Sequence, residues 1–128
     1  MRGLLCLCAV ALTTAAAANA QSTAVRWFHS PSGNIQCEVA SGDSRGTYAY
    51  CQTTTPTRTA RLTANGHTKV CSRRCSIGDG PENATTLGYG KSLNVGKFRC
   101  TSQSAGMRCV VAATGRGFRI SRDGVKTF

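Results

Sequence analysis

KFRCTSQSAGMRCVVAATGRGFRI, residues 97–120, decides the fold of this chain. Successive side chains of a pleated strand point to opposite faces, so a half-buried strand is apolar at every second position. Phe98 and Cys100 fall on one side, with Arg99 on the other. Ser102–Gly106 has turn chemistry, and beyond it Met107, Cys109 and Val111 share a face opposed by Arg108. Thr114-Gly115-Arg116-Gly117 makes a second turn, after which Phe118 and Ile120 flank an outward Arg119. Laid side by side, the three runs build an apolar face and a basic one. Arg99, Arg108 and Arg119 are expected in a row on the solvent side. Residues 97–126 hold seven basic residues, the others being Lys97, Arg116, Arg122 and Lys126, against Asp123 alone.

The same alternation recurs upstream. Ile35, Cys37 and Val39 share one face, opposite Asn34, Gln36 and Glu38, and Ala49 and Cys51 lie opposite Tyr48 and Tyr50. The ASGDSRG segment between them, residues 40–46, has turn chemistry, so the two runs form a hairpin with both cysteines facing one core. Ala60–Ala64, Thr68–Cys71 and Lys91–Val95 are weaker strand candidates. Residues 53–59 and 78–86 read as exposed loops. Many short strands with frequent turns predict a mainly β fold, a small disulfide-stapled antiparallel sandwich or barrel, with a β-rich α+β domain as the fallback.

Residues 1–20 differ from the rest. A positive start at Arg2, the apolar run Leu4–Leu12 and the small-residue end Ala18-Asn19-Ala20 have the form of a secretory signal peptide cut before Gln21. Residues 21–128 are then a single domain, exported to the periplasm or secreted, and nothing in them is long and apolar enough for a transmembrane helix. Cys6 and Cys8 leave with the signal. Cys37, Cys51, Cys71, Cys75, Cys100 and Cys109 remain, an even set that suits three disulfides in an exported chain. The hairpin reading favours Cys37–Cys51 and Cys100–Cys109, with Cys71–Cys75 completing the set.

No catalytic apparatus is legible. His67, Cys71 and Cys75 follow a spacing that would align three metal ligands on a helix, with His29 or another cysteine as a fourth, but no helical pattern supports it and disulfides account for both cysteines. His29, Glu38 and His67 could serve as acid and base in a nuclease-like hydrolase, with arginines on the phosphate, yet their spacing is not diagnostic. Gly115-Arg116-Gly117 is too short for a nucleotide cradle, and no motif calls for a cofactor. Asn83-Ala84-Thr85 matches a short glycosylation acceptor. The stronger signal is charge. Without Arg2, fifteen Lys and Arg stand against five Asp and Glu, a net +10. That excess favours anionic polymers or cell-envelope surfaces. The aromatics Trp27, Phe28, Tyr48, Tyr50 and Tyr89 lie mostly outside the basic C-terminal third, which weighs against nucleic acid relative to a general electrostatic partner.

Three segments together resemble a family of small secreted bacterial domains of unknown function. They are Phe28-His29-Ser30-Pro31-Ser32-Gly33-Asn34-Ile35-Gln36-Cys37, then Leu87-Gly88-Tyr89-Gly90 leading to Phe98-Arg99-Cys100, then Thr114-Gly115-Arg116-Gly117-Phe118 with Ser121-Arg122. Arg116 stands where members often carry His, and the Cys71–Cys75 interval is shorter than the usual hairpin there. The resemblance implies export and a cysteine-rich β domain, and it supplies no activity. The expectation is thus an exported, non-enzymatic binding module whose cationic face comprises Arg99, Arg108, Arg116, Arg119 and Arg122. The alternative is a small secreted hydrolase.

Overall fold

The structure is a computed structural model and describes residues 24–44 and 46–128. The expected signal peptide, residues 1–20, lies outside the described residues. Two antiparallel meanders follow one another along the chain. The first comprises β1 (Ala24–His29), β2 (Ile35–Asp43), β3 (Gly46–Thr54), β4 (Thr57–Thr63) and β5 (Thr68–Cys71). A short β6 (Thr85–Thr86) then adds to its free edge, parallel to β1. The second meander comprises β7 (Ser92–Val95), β8 (Phe98–Gln103), β9 (Gly106–Val111), β10 (Gly117–Ser121) and β11 (Gly124–Thr127). The sheet orders are β5-β4-β3-β2-β1-β6 and β11-β10-β9-β8-β7. The two sheets pack face to face, with β10 against β3 and β4 and β7 against β1 and β2, so the fold is a β-sandwich. Among the described residues there is no helix, and so none long and apolar enough to cross a membrane.

Alternation explains which side of each strand is buried. Ile35, Cys37 and Val39 face the core from β2, Ala49 and Cys51 from β3, and Ala60 and Leu62 from β4. Phe98, Cys100, Met107, Cys109, Val111, Phe118 and Ile120 meet them from the second sheet. Phe118, Ile120 and Leu62 have no exposed surface. Each such side chain contributes roughly 1.5–3 kcal/mol through burial.

Cys37 pairs with Cys51 directly across β2 and β3, and Cys100 with Cys109 directly across β8 and β9. Both pairs bring their Cα atoms to 4.1 Å, the close approach of a non-hydrogen-bonded pair. Cys71–Cys75 closes a small loop after β5. The first two bridges meet in the core, where Cys51 Sγ lies 3.7 Å from Cys109 Sγ.

Two segments expected as loops contribute strand. Thr53 and Thr54 end β3 and Thr57–Thr59 begin β4, leaving only Thr55 and the cis Pro56 between them. Threonine is β-branched and suits a pleated surface, and the hairpin register pairs Thr53 with Arg58 and Thr54 with Thr57. Thr85–Thr86 likewise pairs with Phe28–His29.

Candidate functional site

The outer face of the second sheet is built by register. Ser92, Thr101, Arg108, Arg119 and Lys126 stand opposite one another in one line across all five strands. The next line is Asn94, Arg99, Val110, Gly117 and then Phe128, whose backbone exchanges hydrogen bonds with Gly117 at 2.9 and 3.0 Å. Arg99 is therefore diagonal to Arg108 and not opposite it. No Asp or Glu occupies the outward positions of these strands. Gly117 has no side chain, and the backbone of β9 at Cys109 and Val110 closes over the place where one would begin. Phe128 is 48% exposed, and the Arg108 guanidinium sits over its ring at 4.9 Å. That is within cation–π range. Like charges directly opposite on neighbouring strands are destabilising, so the Arg108–Arg119–Lys126 line carries a cost to the fold.

The other two arginines expected on this face lie at its ends. Arg116, in the β9–β10 turn, rests over Gly66 of the β4–β5 turn, beside His67 and Phe128. Arg122 is in the β10–β11 turn, where its carbonyl accepts a hydrogen bond from Arg58 Nη1. The structure thus gathers Arg99, Arg108, Arg119 and Lys126 on one surface, extends it past Phe128 to Arg116, and sets Arg122 on the opposite rim.

A second surface, on the outer face of the first sheet, was not apparent from the sequence. Trp27, Glu38, Tyr50, Arg61 and Lys69 form one line across β1 to β5. Tyr48 donates to Glu38 Oε1 at 2.7 Å, and the Arg61 guanidinium covers the Tyr48 ring at 3.7 Å. Gln52 ties the loop after Cys75 onto this sheet. Its Nε2 donates to Gly78 O at 2.5 Å and to Gln36 Oε1 at 3.0 Å, while its Oε1 accepts from Gly78 N at 3.2 Å and from the Tyr50 hydroxyl at 2.9 Å. The result is a cleft of 140 Å³ between Trp27, Tyr50 and Asp79. The one signal for it in the sequence is the pair of tyrosines alternating with Ala49 and Cys51.

Burial, with the Glu38 carboxylate adding to it, raises the Tyr50 phenol above its ordinary value of 10.0, while Arg61 pulls the other way. Folding then favours the neutral phenol. Its contribution to stability is present below the unfolded value and is lost as pH rises through the higher folded value. Phenolate absorbance is expected to show a component titrating above the ordinary tyrosine range, and Tyr50→Phe should diminish that late component. A wild-type titration with no late component would contradict this assignment.

The candidate acid–base residues do not form one cluster. His29 Nδ1 donates to Ser30 O at 2.8 Å, and its Nε2 is hydrogen-bonded to Thr86 Oγ1 at 3.3 Å. Glu38 lies further along the same face, and His67 is in the β4–β5 turn near Arg116. Cys71 and Cys75 are bonded to each other, so their sulfurs are not free to join His67 as ligands. Among the described residues the close cysteine cluster is instead Cys37, Cys51 and Cys109, all three in disulfides. No protein-family model, no curated protein and no solved structure matches this chain.

Proposed function

We propose that this protein is an exported binding module whose second sheet presents a cationic face to anionic polymers, such as acidic envelope glycans. The observation that carries the reading is the line Arg108–Arg119–Lys126 on three adjacent strands, flanked by Arg99 and free of outward carboxylates. A destabilising alignment of like charges has a rationale when a polyanion neutralises it. The exposed Phe128 adds an aromatic surface among the cations, so a single-stranded nucleic acid is a usable probe alongside heparin.

The test compares two triple variants. Arg99→Ser/Arg108→Ser/Arg119→Ser is expected to elute earlier from heparin and to flatten the salt dependence of duplex DNA binding. Three lost phosphate contacts correspond to a change of about 2.7 in the log–log slope. Arg26→Ser/Lys69→Ser/Arg73→Ser removes the same charge from elsewhere and should shift both readouts far less. Equal effects would overturn the proposal, because net charge alone would then explain binding.

Export is part of the same reading, and three disulfides suit an oxidising compartment. Intact-mass measurement of exported protein should give a chain beginning at Gln21. A product retaining Met1 would remove export by signal cleavage from the proposal.

A further inference from the structure

Parts of the three segments that carry the family resemblance, residues 30–35, Tyr89 and Ser121-Arg122, are far apart in sequence yet meet at one end of the sandwich. A groove of 280 Å³ is lined there by Ser32 and Asn34 from the β1–β2 turn, Tyr89 from the turn before β7, Gln103 and Ser104 from the β8–β9 turn, and Arg122 from the β10–β11 turn. We infer that this groove binds a neutral, hydroxyl-rich ligand of the saccharide class. The site is separate from the cationic face, with Arg122 on its rim.

Its walls are fixed before any ligand arrives. Ser30 N donates to Ile35 O at 2.8 Å, Gly33 N to Ser30 O at 2.9 Å, and Ile35 N to Ser30 Oγ at 3.2 Å. Asn34 Oδ1 accepts from the Thr54 hydroxyl at 2.8 Å and from Thr55 N at 3.0 Å, so the turn is fastened to the end of β3. The Tyr89 turn is held to β8 by Gly90 N donating to Ser102 O at 2.7 Å and Ser102 N donating to Lys91 O at 2.9 Å. Arg58 anchors the β10–β11 turn through Arg122 O. A site whose walls are already ordered gives up less freedom on binding.

The lining points to the ligand class. The side chains of Tyr89, Gln103, Ser104 and Arg122 make no hydrogen bond or ion pair with any other described residue. Tyr89 is 53% exposed, one of three large apolar side chains so exposed among the described residues. The charged groups of the groove are Arg122 and Asp123, one of each sign, on a chain that is otherwise strongly basic. Selection here therefore rests on hydrogen bonding and not on charge. A pyranose offers an aromatic ring a face of C–H groups, and offers amides, hydroxyls and a guanidinium a girdle of hydroxyls. An amphipathic tyrosine beside Ser, Gln and Arg donors and acceptors matches both parts. The volume is near the lower bound of about 300 Å³ for small-molecule pockets, which suits a short oligosaccharide end.

The test titrates triacetylchitotriose and maltotriose, each to about 10 mM, well above a weak dissociation constant of ~1 mM, into the ¹⁵N-labelled exported protein. Amide shifts are expected at residues 32–34, 89–90, 103–105 and 121–123 with at least one sugar. Tyr89→Ala should weaken that binding at least ~10-fold, and Gln103→Ala, from a different turn, should weaken it independently. Both positions are exposed, and an unchanged amide spectrum elsewhere shows that the variants are folded. Arg108→Ser/Arg119→Ser, which disables the cationic face, should leave saccharide binding unchanged. No shifts with either sugar, or shifts confined to the outer face of the second sheet, overturn the inference and leave the polyanion proposal standing.

Discussion

Gly117→Ala is expected to lower stability by about 4 kcal/mol or more, the range reached only when a substitution has no room to relax. Gly117 is buried at the start of β10, directly opposite Val110 of β9. A Cβ there would overlap the Cys109 carbonyl oxygen and lie 2.8 Å from Val110 Cα and 2.9 Å from Cys109 C. All three atoms belong to the backbone of the neighbouring strand, so no side chain can turn aside. Nor can β10 retreat freely, because Gly117 also exchanges two backbone hydrogen bonds with Phe128. Relief requires prising β9 from β10 next to Cys109, whose bridge pins β9 to β8. The comparison is Gly115→Ala, where a Cβ meets nothing within 4 Å and the penalty is the left-handed backbone at φ 73°. That change should cost about 1–2 kcal/mol. Urea unfolding of the two variants decides the matter. A Gly117→Ala protein as stable as Gly115→Ala would show that the two strands are not so close.

How much of this was legible depends on how far apart in the chain the neighbours lie. Strands β8, β9 and β10 are successive and joined by short turns, so the alternation around Arg99, Arg108 and Arg119 was enough to place all three on one side. The same holds for Cys37 and Cys51 across one hairpin. The offset of Arg99 from Arg108 was not legible, because turn length sets register and a pattern of period two does not report it. Strand β1 was missed: Trp27 and Phe28 are adjacent large aromatics, and only the pairing of Phe28 with Cys37 shows which faces the core. Strand β11 is four residues long and half exposed, too short for a pattern. The Trp27–Glu38–Tyr50–Arg61 line needs the registers of three strand pairs at once, and the Tyr89 groove needs four turns from both sheets. Neither leaves a local mark beyond the polar, turn-forming character of the segments themselves.

The second large effect is expected where the two core bridges meet. Removing one bridge outright, with Cys37→Ala/Cys51→Ala, should cost about 3 kcal/mol on the chain-entropy account of a link between residues 14 apart, and about 4 once the lost sulfur packing is added. Cys37→Ala alone leaves a thiol at Cys51, whose sulfur lies 3.7 Å from Cys109 Sγ. The Cys51 thiolate can then attack the Cys109 sulfur. The Cys51–Cys109 bond forms, the Cys100–Cys109 bond breaks, and Cys100 leaves as the thiolate that takes up the proton. The new bridge would join the two sheets across the core and span 58 residues of sequence, a longer loop than either bridge it replaces. Longer loops restrict the unfolded chain more, so the exchange is favoured as far as the core can adjust. The single variant should therefore lose less stability than the double one. Peptide mapping without reduction should find Cys51 linked to Cys109, with Cys100 alkylated. An intact Cys100–Cys109 bridge beside an alkylatable Cys51 would mean that the sheets hold the two sulfurs apart.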